Sequence, residues 1–255
     1  MAAERAISED AVLGGRLVLR QPRTGHRVGH DAILLAAATS ARAGDEVVDL
    51  GAGVGAAGLA VARRIEGVAV TLVEIDPALA ALAAENAARN GLADRVRAVC
   101  LDVAASAAAF AAAGLAPGAA DRVLMNPPFN APRQQPSPHP GRRLAHSASG
   151  HTLDRWVAVA ARLLGRGGVI TLIWRADALD ALLAALTAGF GAITVLPIHA
   201  KPDAPAIRVL ARAVKASRAP LSLLPGFILA DAAGKPTAEA EAVLHGDALL
   251  PLARD

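Results

Sequence analysis

Along most of the chain, short apolar runs alternate with longer Ala- and Leu-rich stretches whose apolar positions recur at helical spacing. The short runs predict strands at Glu46–Leu50, Val68–Glu74, Val96–Leu101, Arg122–Met125, Val169–Trp174 and Ala192–Leu196. The stretches between them predict helices over Ala56–Ile65, Pro77–Asn90, Val103–Ala113, Leu153–Leu164 and Ala176–Ala188. Strands that alternate with helices in this way build βαβ units, and hence a parallel sheet covered on both faces. The run Ile207–Val214 follows the sixth strand after only a Pro-bearing link, Lys201-Pro202-Asp203-Ala204-Pro205. A parallel return would need a helical crossover, so this run is predicted antiparallel. The predicted fold class is α/β, a Rossmann-like sheet of seven strands, six parallel and one antiparallel, with helices on both faces.

Upstream, Leu13-Gly14-Gly15-Arg16 reads as a hairpin turn before the alternating Leu17-Val18-Leu19, and His30–Ala41 reads as a helix. Downstream, the tail from Ser217 carries a turn at Asp231–Lys235 and a short helix entered at Thr237. The segment Asn130–Gly150, with four Pro and no apolar period, predicts a long loop. Loops of this length inside a compact domain are usually functional or mobile. We read residues 1–255 as one domain: a hairpin and helix over 1–44, a core over 45–216, and a tail over 217–255 packed on that core.

Composition narrows the class. Hydrophobic residues make up 54% and charged residues 19%, which excludes wholesale disorder. One cysteine, Cys100, excludes an intrachain disulfide and a cysteine-built metal site. Two uncharged stretches, Val103–Ala120 and Ala181–Ile198, are long enough to raise a membrane span. Gly and Pro interrupt the first and Gly189-Phe190-Gly191 splits the second, so each reads as helix, turn and buried strand. With no signal-peptide pattern after Met1, the expectation is a cytoplasmic protein with no membrane partner. The net charge of +3 mildly favours an anionic partner.

The first motif with chemistry is Val47-Val48-Asp49-Leu50-Gly51-Ala52-Gly53-Val54-Gly55-Ala56, a strand, a tight glycine turn and a helix start. In an open α/β sheet, ligands sit at the carboxyl ends of strands, and glycine lets backbone approach them closely. The string also satisfies the dinucleotide pattern, with Glu74 downstream, so the motif alone leaves a dinucleotide and another nucleoside cofactor open. Asp49 shifts the balance. A carboxylate two residues before Gly51, facing the same crevice, repels a pyrophosphate but suits an ammonium or sulfonium, and S-adenosylmethionine carries both. Glu74, ending the second strand, is placed to accept from ribose hydroxyls, and Asp102, ending the third, from an adenine amino group.

The second motif, Asn126-Pro127-Pro128-Phe129, closes the fourth strand. Two prolines stiffen the turn and remove backbone donors. Asn126 Oδ1 and the Pro127 carbonyl then form a pair of acceptors beside the Phe129 ring, suited to a planar substrate bearing –NH2. Acceptors of this kind favour the pyramidal nitrogen whose lone pair can attack, so Asn126, Pro127 and Phe129 are the candidate catalytic residues.

Gly51–Gly55, Glu74, Asp102 and Asn126–Phe129, in this order, resemble the class I S-adenosylmethionine-dependent methyltransferases that methylate amino groups. The segment from Gln21 to Ala36 is similar to the N-terminal signature of bacterial tRNA1(Val) adenine-37 N6-methyltransferases. That resemblance implies transfer of methyl from S-adenosylmethionine to adenine N6 in tRNA or another structured RNA. It also implies that the segment near Asp31 helps to close over the cofactor. Phe129 in place of the commoner Tyr, and the long Pro-rich loop, depart from the family pattern. Rival acceptors are a protein glutamine N5 amide and an rRNA guanine N2. A cofactor-binding RNA module without turnover is the alternative from another class, and an NAD-dependent oxidoreductase would not need Asn126–Phe129.

The remaining candidates line the mouth or the last strand. Trp174 and Arg175 end the fifth strand beside the crevice; Trp174 reads equally as substrate wall or core, and Arg175 as a phosphate contact. Arg208, Arg212, Lys215 and Arg218 cluster around the last strand, while Arg20, Arg23, Arg27, Arg142 and Arg143 flank the mouth, a basic rim suited to RNA phosphates. Trp156, at helical spacing with Ala160 and Leu163, reads as core, and Asp10 as a surface acid. The seven histidines show no metal-ligand spacing, so no metal is expected, and the chain is expected to be a monomer.

Overall fold

The computed structural model describes residues 6–24, 27–128 and 152–254. A hairpin of β1 (Ile7–Val12) and β2 (Leu17–Pro22) comes first, then α1 (His30–Ala38). The core follows as β3 (Glu46–Leu50), α2 (Ala56–Arg64), β4 (Ala69–Glu74), α3 (Pro77–Arg89), β5 (Val96–Cys100), α4 (Ala107–Ala112) and β6 (Ala120–Met125). Beyond residue 151 come α5 (Thr152–Leu163), β7 (Leu164–Arg175), α6 (Leu179–Thr187), β8 (Phe190–His199) and β9 (Ala206–Lys215). The tail adds β10 (Ser222–Leu223), β11 (Phe227–Ile228) and α7 (Ala238–His245).

The long strands lie in the order β5-β4-β3-β6-β7-β9-β8. Those from β3 to β7 pair in parallel, and β9 runs antiparallel to both β7 and β8, as the short Pro-bearing link requires. The sheet is wider than expected. The tail lays β10 and β11 alongside β8, which brings the total to nine strands. These added strands are only two residues long, and no apolar run announces them.

Both faces are buried, so each strand divides its side chains by alternation. Val47, Leu72 and Leu124 pack with α1, α2 and α7 on one face; Val48, Val73, Val123 and Met125 pack with α4 and α5 on the other. Helix α2 faces the sheet largely with Ala and Gly, which lets it sit very close to the strands. A Cβ on Gly58 would lie 2.3 Å from Leu72 Cδ2. The tail closes this layer: Val243, Leu250 and Leu252 are buried there, and the Leu250 N–H donates to the Ala37 carbonyl.

Two boundaries differ from the sequence pattern for a local reason. Helix α4 begins at Ala107, because Ser106 Oγ caps it while Asp102 Oδ1 accepts from the Ala104 N–H in a separate turn. Helix α1 stops at Ala38, where Thr39 turns extended and donates its hydroxyl to the Leu35 carbonyl. Among the described residues no helix is long and apolar enough to cross a membrane.

The hairpin is held by an arrangement the apolar pattern does not carry. Asn86 and Asn90 stand one turn apart on α3 and bond alternate residues of β2, as a neighbouring strand would. Asn86 Oδ1 accepts from the Arg20 N–H and its Nδ2 donates to the Arg20 carbonyl; Asn90 does the same with Val18. Asn86 Nδ2 also donates to the Val54 carbonyl in the glycine loop, and the residue is 0% exposed. Replacing it should leave three buried backbone groups unpaired. We predict that Asn86→Ala costs about 3 kcal/mol, and Asn90→Ala, at the exposed end, about 1 kcal/mol or less. Urea unfolding of the two variants checks this, and equal losses would contradict it.

Candidate active site

The strand order reverses beside β3: the chain travels outward through β4 and β5, then returns to place β6 on the other side of β3. Crevices form at such switch points, outside the carboxyl ends of the strands. Leu50 pairs with Met125, so Gly51 and Asn126 leave the sheet side by side. The glycine loop and the Asn-Pro-Pro turn, 75 residues apart in sequence, therefore meet.

Gly51 and Gly53 have φ of 71° and 58°, the left-handed region that glycine enters without strain. The Gly51 and Ala52 N–H groups both donate to the Val73 carbonyl, which folds the loop back over β4. Glu74 completes the bracing. One of its carboxylate oxygens accepts from the Gly53 N–H at 2.8 Å and the other from the Asp76 N–H at 2.9 Å. It is 8% exposed, so these charge-assisted bonds lock both loops to the end of β4. A Cβ on Gly53 would meet nothing within 4 Å. The loop thus keeps an open side where backbone can approach a ligand.

Beyond Glu74 the rim changes character. Ile75 is 42% exposed, an apolar face immediately next to the buried carboxylate. Asp102 is exposed at the end of the neighbouring strand, and Cys100 Sγ lies 3.7 Å from the Ile75 carbonyl oxygen. A carboxylate, an apolar face and a second carboxylate around an open backbone cradle fit the hydroxyls, ring and amino group of a nucleoside. Ile75 follows the strand end that the pattern places at Glu74, but its exposure beside the buried carboxylate is visible only in the fold.

Asp49 corrects an expectation. Strand alternation turns it, like Val47, toward α2, and it is 2% exposed beneath that helix instead of lining the crevice. Its Oδ2 accepts from the Gly58 N–H at 2.8 Å. Burial pushes its carboxyl up to about 7, the Gly58 bond opposing and the nearby Glu74 charge adding to the rise. Asp49 therefore acts from behind the loop, anchoring α2.

Asn126 is the second decisive residue. Its Oδ1 is buried without a hydrogen-bond partner among the described residues. A buried acceptor left unpaired costs on the order of 1–3 kcal/mol, which marks positions kept for function. Pro127 is buried behind it, and Pro128 is half-buried. Phe129, the Asn130–Gly150 loop, His26, Arg142 and Arg143 lie outside the described residues.

The basic residues divide. Strand β9 runs antiparallel, so Arg208 pairs with Arg175 at the crevice end, while Lys215 pairs with Phe190 at the opposite end. Seven residues of strand separate them by about 23 Å. The predicted cluster of Arg208, Arg212, Lys215 and Arg218 is thus not a cluster. Lys215 Nζ donates to the Leu164 carbonyl, and Arg218 lines a hollow with Arg166 and Thr187 at the far edge. At the crevice end the cations carry carboxylate partners: Arg208 Nε lies 3.0 Å from Asp31 Oδ2, and Arg175 grips Asp177 with two bonds, which lowers the carboxyl of Asp177. Arg27 pairs with Asp10 at 2.9 Å. Asp10 is more than a surface acid, since it also accepts from Ser8 and from the buried Gln21, whose bonds hold its carboxyl below the usual range. Gln21 Oε1 in turn accepts from the Val28 N–H, so this knot ties the hairpin to the approach to α1. Trp174 is 8% exposed and belongs to the core, because alternation turns it inward against α6.

Residues 26–201 match the family of the methyltransferase small domain. The chain belongs to that family. A tRNA1(Val) (adenine(37)-N6)-methyltransferase of Bacteroides fragilis is 28% identical over 185 residues, covering 72% of this chain and 75% of the relative. Among solved structures, a predicted O-methyltransferase from Agrobacterium tumefaciens is 29% identical, with a TM-score of 0.73 over 86% of this chain and 98% of that one. A 16S rRNA N2 methyltransferase from T. thermophilus, in complex with AdoMet and guanosine, shares the fold at 21% identity, with a TM-score of 0.56 over 82% of this chain and 50% of its own. The protein is a methyltransferase that uses S-adenosylmethionine. Among the described residues no group of three His, Cys, Asp or Glu is placed to hold a metal ion.

The buried Asp49 generates a pH dependence for this methyltransferase. With a folded-state value near 7 and an ordinary value of 3.8, the folded state keeps a proton that the unfolded state has already lost. The stabilising contribution of the Asp49 proton is therefore fully present below about pH 4 and is lost as pH rises toward about 7. Asp49→Asn, which keeps an acceptor for Gly58 and carries no charge, should not show this loss. Urea unfolding between pH 4 and pH 8 measures the two curves; parallel curves would show that Asp49 titrates normally.

Proposed function

We propose that this methyltransferase acts on an exocyclic amine of a nucleobase, adenine N6 in tRNA. The observation that carries the reading is the buried, unpartnered Asn126 Oδ1 beside the first glycine of the cofactor loop. An acceptor kept dry at this point suits a substrate that brings N–H donors. The name of the B. fragilis relative supports adenine in tRNA as the amine.

In this reading Glu74 takes the ribose hydroxyls, Ile75 lies against the adenine ring and Asp102 accepts from its amino group, while Gly53 gives the backbone room. S-adenosylmethionine supplies an electrophilic methyl and leaves as a neutral thioether. Asn126 Oδ1 and the Pro127 carbonyl accept the two N–H bonds of the substrate amine, drawing the nitrogen toward the pyramidal form. With its lone pair freed in this way the amine nitrogen would be held ready to take the methyl in place of the sulfur, and its surplus proton would leave to water. Phe129 stacks on the base, which has to leave its helical stack to enter the crevice. RNA approaches from the crevice end, where Arg27, Arg175 and Arg208 can exchange their carboxylate partners for phosphates.

Two predictions follow the residues. In single turnover at saturating cofactor, Asn126→Ala should lower the rate roughly 10²–10³-fold with cofactor affinity nearly unchanged, and Asn126→Asp should fall between the two. Labelled cofactor offered with separate pools of tRNA, rRNA and protein identifies the acceptor; label in guanine N2, in glutamine or on oxygen would redirect the assignment. Arg175→Ala with Arg208→Ala should reduce the salt slope of RNA binding by roughly one to two units, whereas changing Lys215 and Arg218 should leave it nearly unchanged. The reverse pattern would place RNA on the opposite edge of the sheet.

A further inference from the structure

The chain contains two tryptophans and no tyrosine, and the two tryptophans sit very differently. Trp174 is packed in the core. Trp156, in the first half of α5, is only half-buried, while Leu153, Val157 and Ala160 around it provide the packing of that helix. Its ring reaches across to the glycine loop. A Cβ on Gly51 would lie 2.3 Å from Trp156 Cη2 and 2.9 Å from Cζ3. The benzo end of the indole therefore rests on the backbone of Gly51, and no larger residue at position 51 would leave room for it.

Gly51 is also the residue that leaves the sheet beside Asn126. The first glycine of the loop thus has an indole against its backbone, and the residue with the dry acceptor as its neighbour across the strand pair. In a methyl transfer the donor and the acceptor nitrogen have to meet between the loop and Asn126, so a ring resting on Gly51 borders that meeting point. The donor is a sulfonium cation, whereas the thioether left after transfer is neutral. Indole is the strongest of the aromatic side chains at attracting a cation through its π face, and the attraction disappears with the charge.

We propose that Trp156 is the aromatic wall of the methyl-transfer site, and that it makes the site prefer the sulfonium donor over its neutral product. The proposal rests on the glycine loop being the S-adenosylmethionine site. It gives Trp156 a specificity role separate from that of Glu74, which would bind the ribose of donor and product equally.

The test compares wild type, Trp156→Phe, Trp156→Leu and Trp174→Phe by calorimetric titration with S-adenosylmethionine and with S-adenosylhomocysteine, alongside intrinsic fluorescence. In Trp174→Phe the remaining fluorescence should respond to either ligand; in Trp156→Phe the response should be lost while binding persists. Trp156→Leu should weaken the donor about 3- to 30-fold relative to the product, with Trp156→Phe in between. Equal weakening of both ligands, or an unchanged preference, would overturn the specificity role while leaving the cofactor loop intact. A fluorescence response that follows Trp174 would remove Trp156 from the site. Failure of the wild type to bind either ligand would overturn the loop assignment and this inference together.

Discussion

Strand β3 is the axis of the molecule, and its pairing with β4 on one side and β6 on the other is the constraint on which the site depends. That pairing fixes where the glycine loop and the Asn-Pro-Pro turn emerge. Gly51 follows Leu50, Asn126 follows Met125, and those two strand ends are in register. A shift of one residue between β3 and β6 would turn Val48 and Leu50 out of the second core layer, since side chains alternate between faces. The hydrophobic cores on both faces therefore protect the relative placement of cofactor loop and acceptor, although neither turn contributes much to those cores.

Charge at the crevice is handled by pairing and by burial, in two different ways. Glu74 is buried with one amide on each carboxylate oxygen, from Gly53 and from Asp76. Asp49 is buried with one amide partner, and its proton is held more tightly as a result. At the mouth, Arg27, Arg175 and Arg208 face Asp10, Asp177 and Asp31 in partly exposed pairs. Such pairs are individually weak, about 0–1 kcal/mol, so a phosphate can displace the carboxylate at small cost.

The hairpin shows how an edge is covered without a strand. Asn86 and Asn90 offer β2 the alternating donors and acceptors of a sheet neighbour, and Asn86 links that edge to Val54 in the glycine loop. Through Gln21, Asp10 and Arg27 the other side of the hairpin is tied to the entry of α1, whose Asp31 meets Arg208. The segment that resembles a family signature, Gln21 to Ala36, is in physical terms the strap between hairpin, first helix and crevice.

The local pattern of the chain was sufficient for the six parallel strands, for the antiparallel return after the Pro-bearing link, and for the positions of the glycine loop and the Asn-Pro-Pro turn, because each depends on neighbours in sequence. Gly, Pro and the acids at strand ends are local signals of local geometry, and Glu74 and Asn126 were readable for that reason. What the sequence by itself could not determine is which side chains share a place. Asp49 was assigned to the crevice until alternation turned it under α2, and Trp156, read as core, does pack half-buried against the second core layer but also rests its ring on Gly51, which the sequence did not show. The basic residues of β9 looked like one cluster in sequence, but the extended strand carries Arg208 and Lys215 to opposite ends. Burial, register and the meeting of distant segments are properties of the packed chain, so only the tertiary structure could decide them.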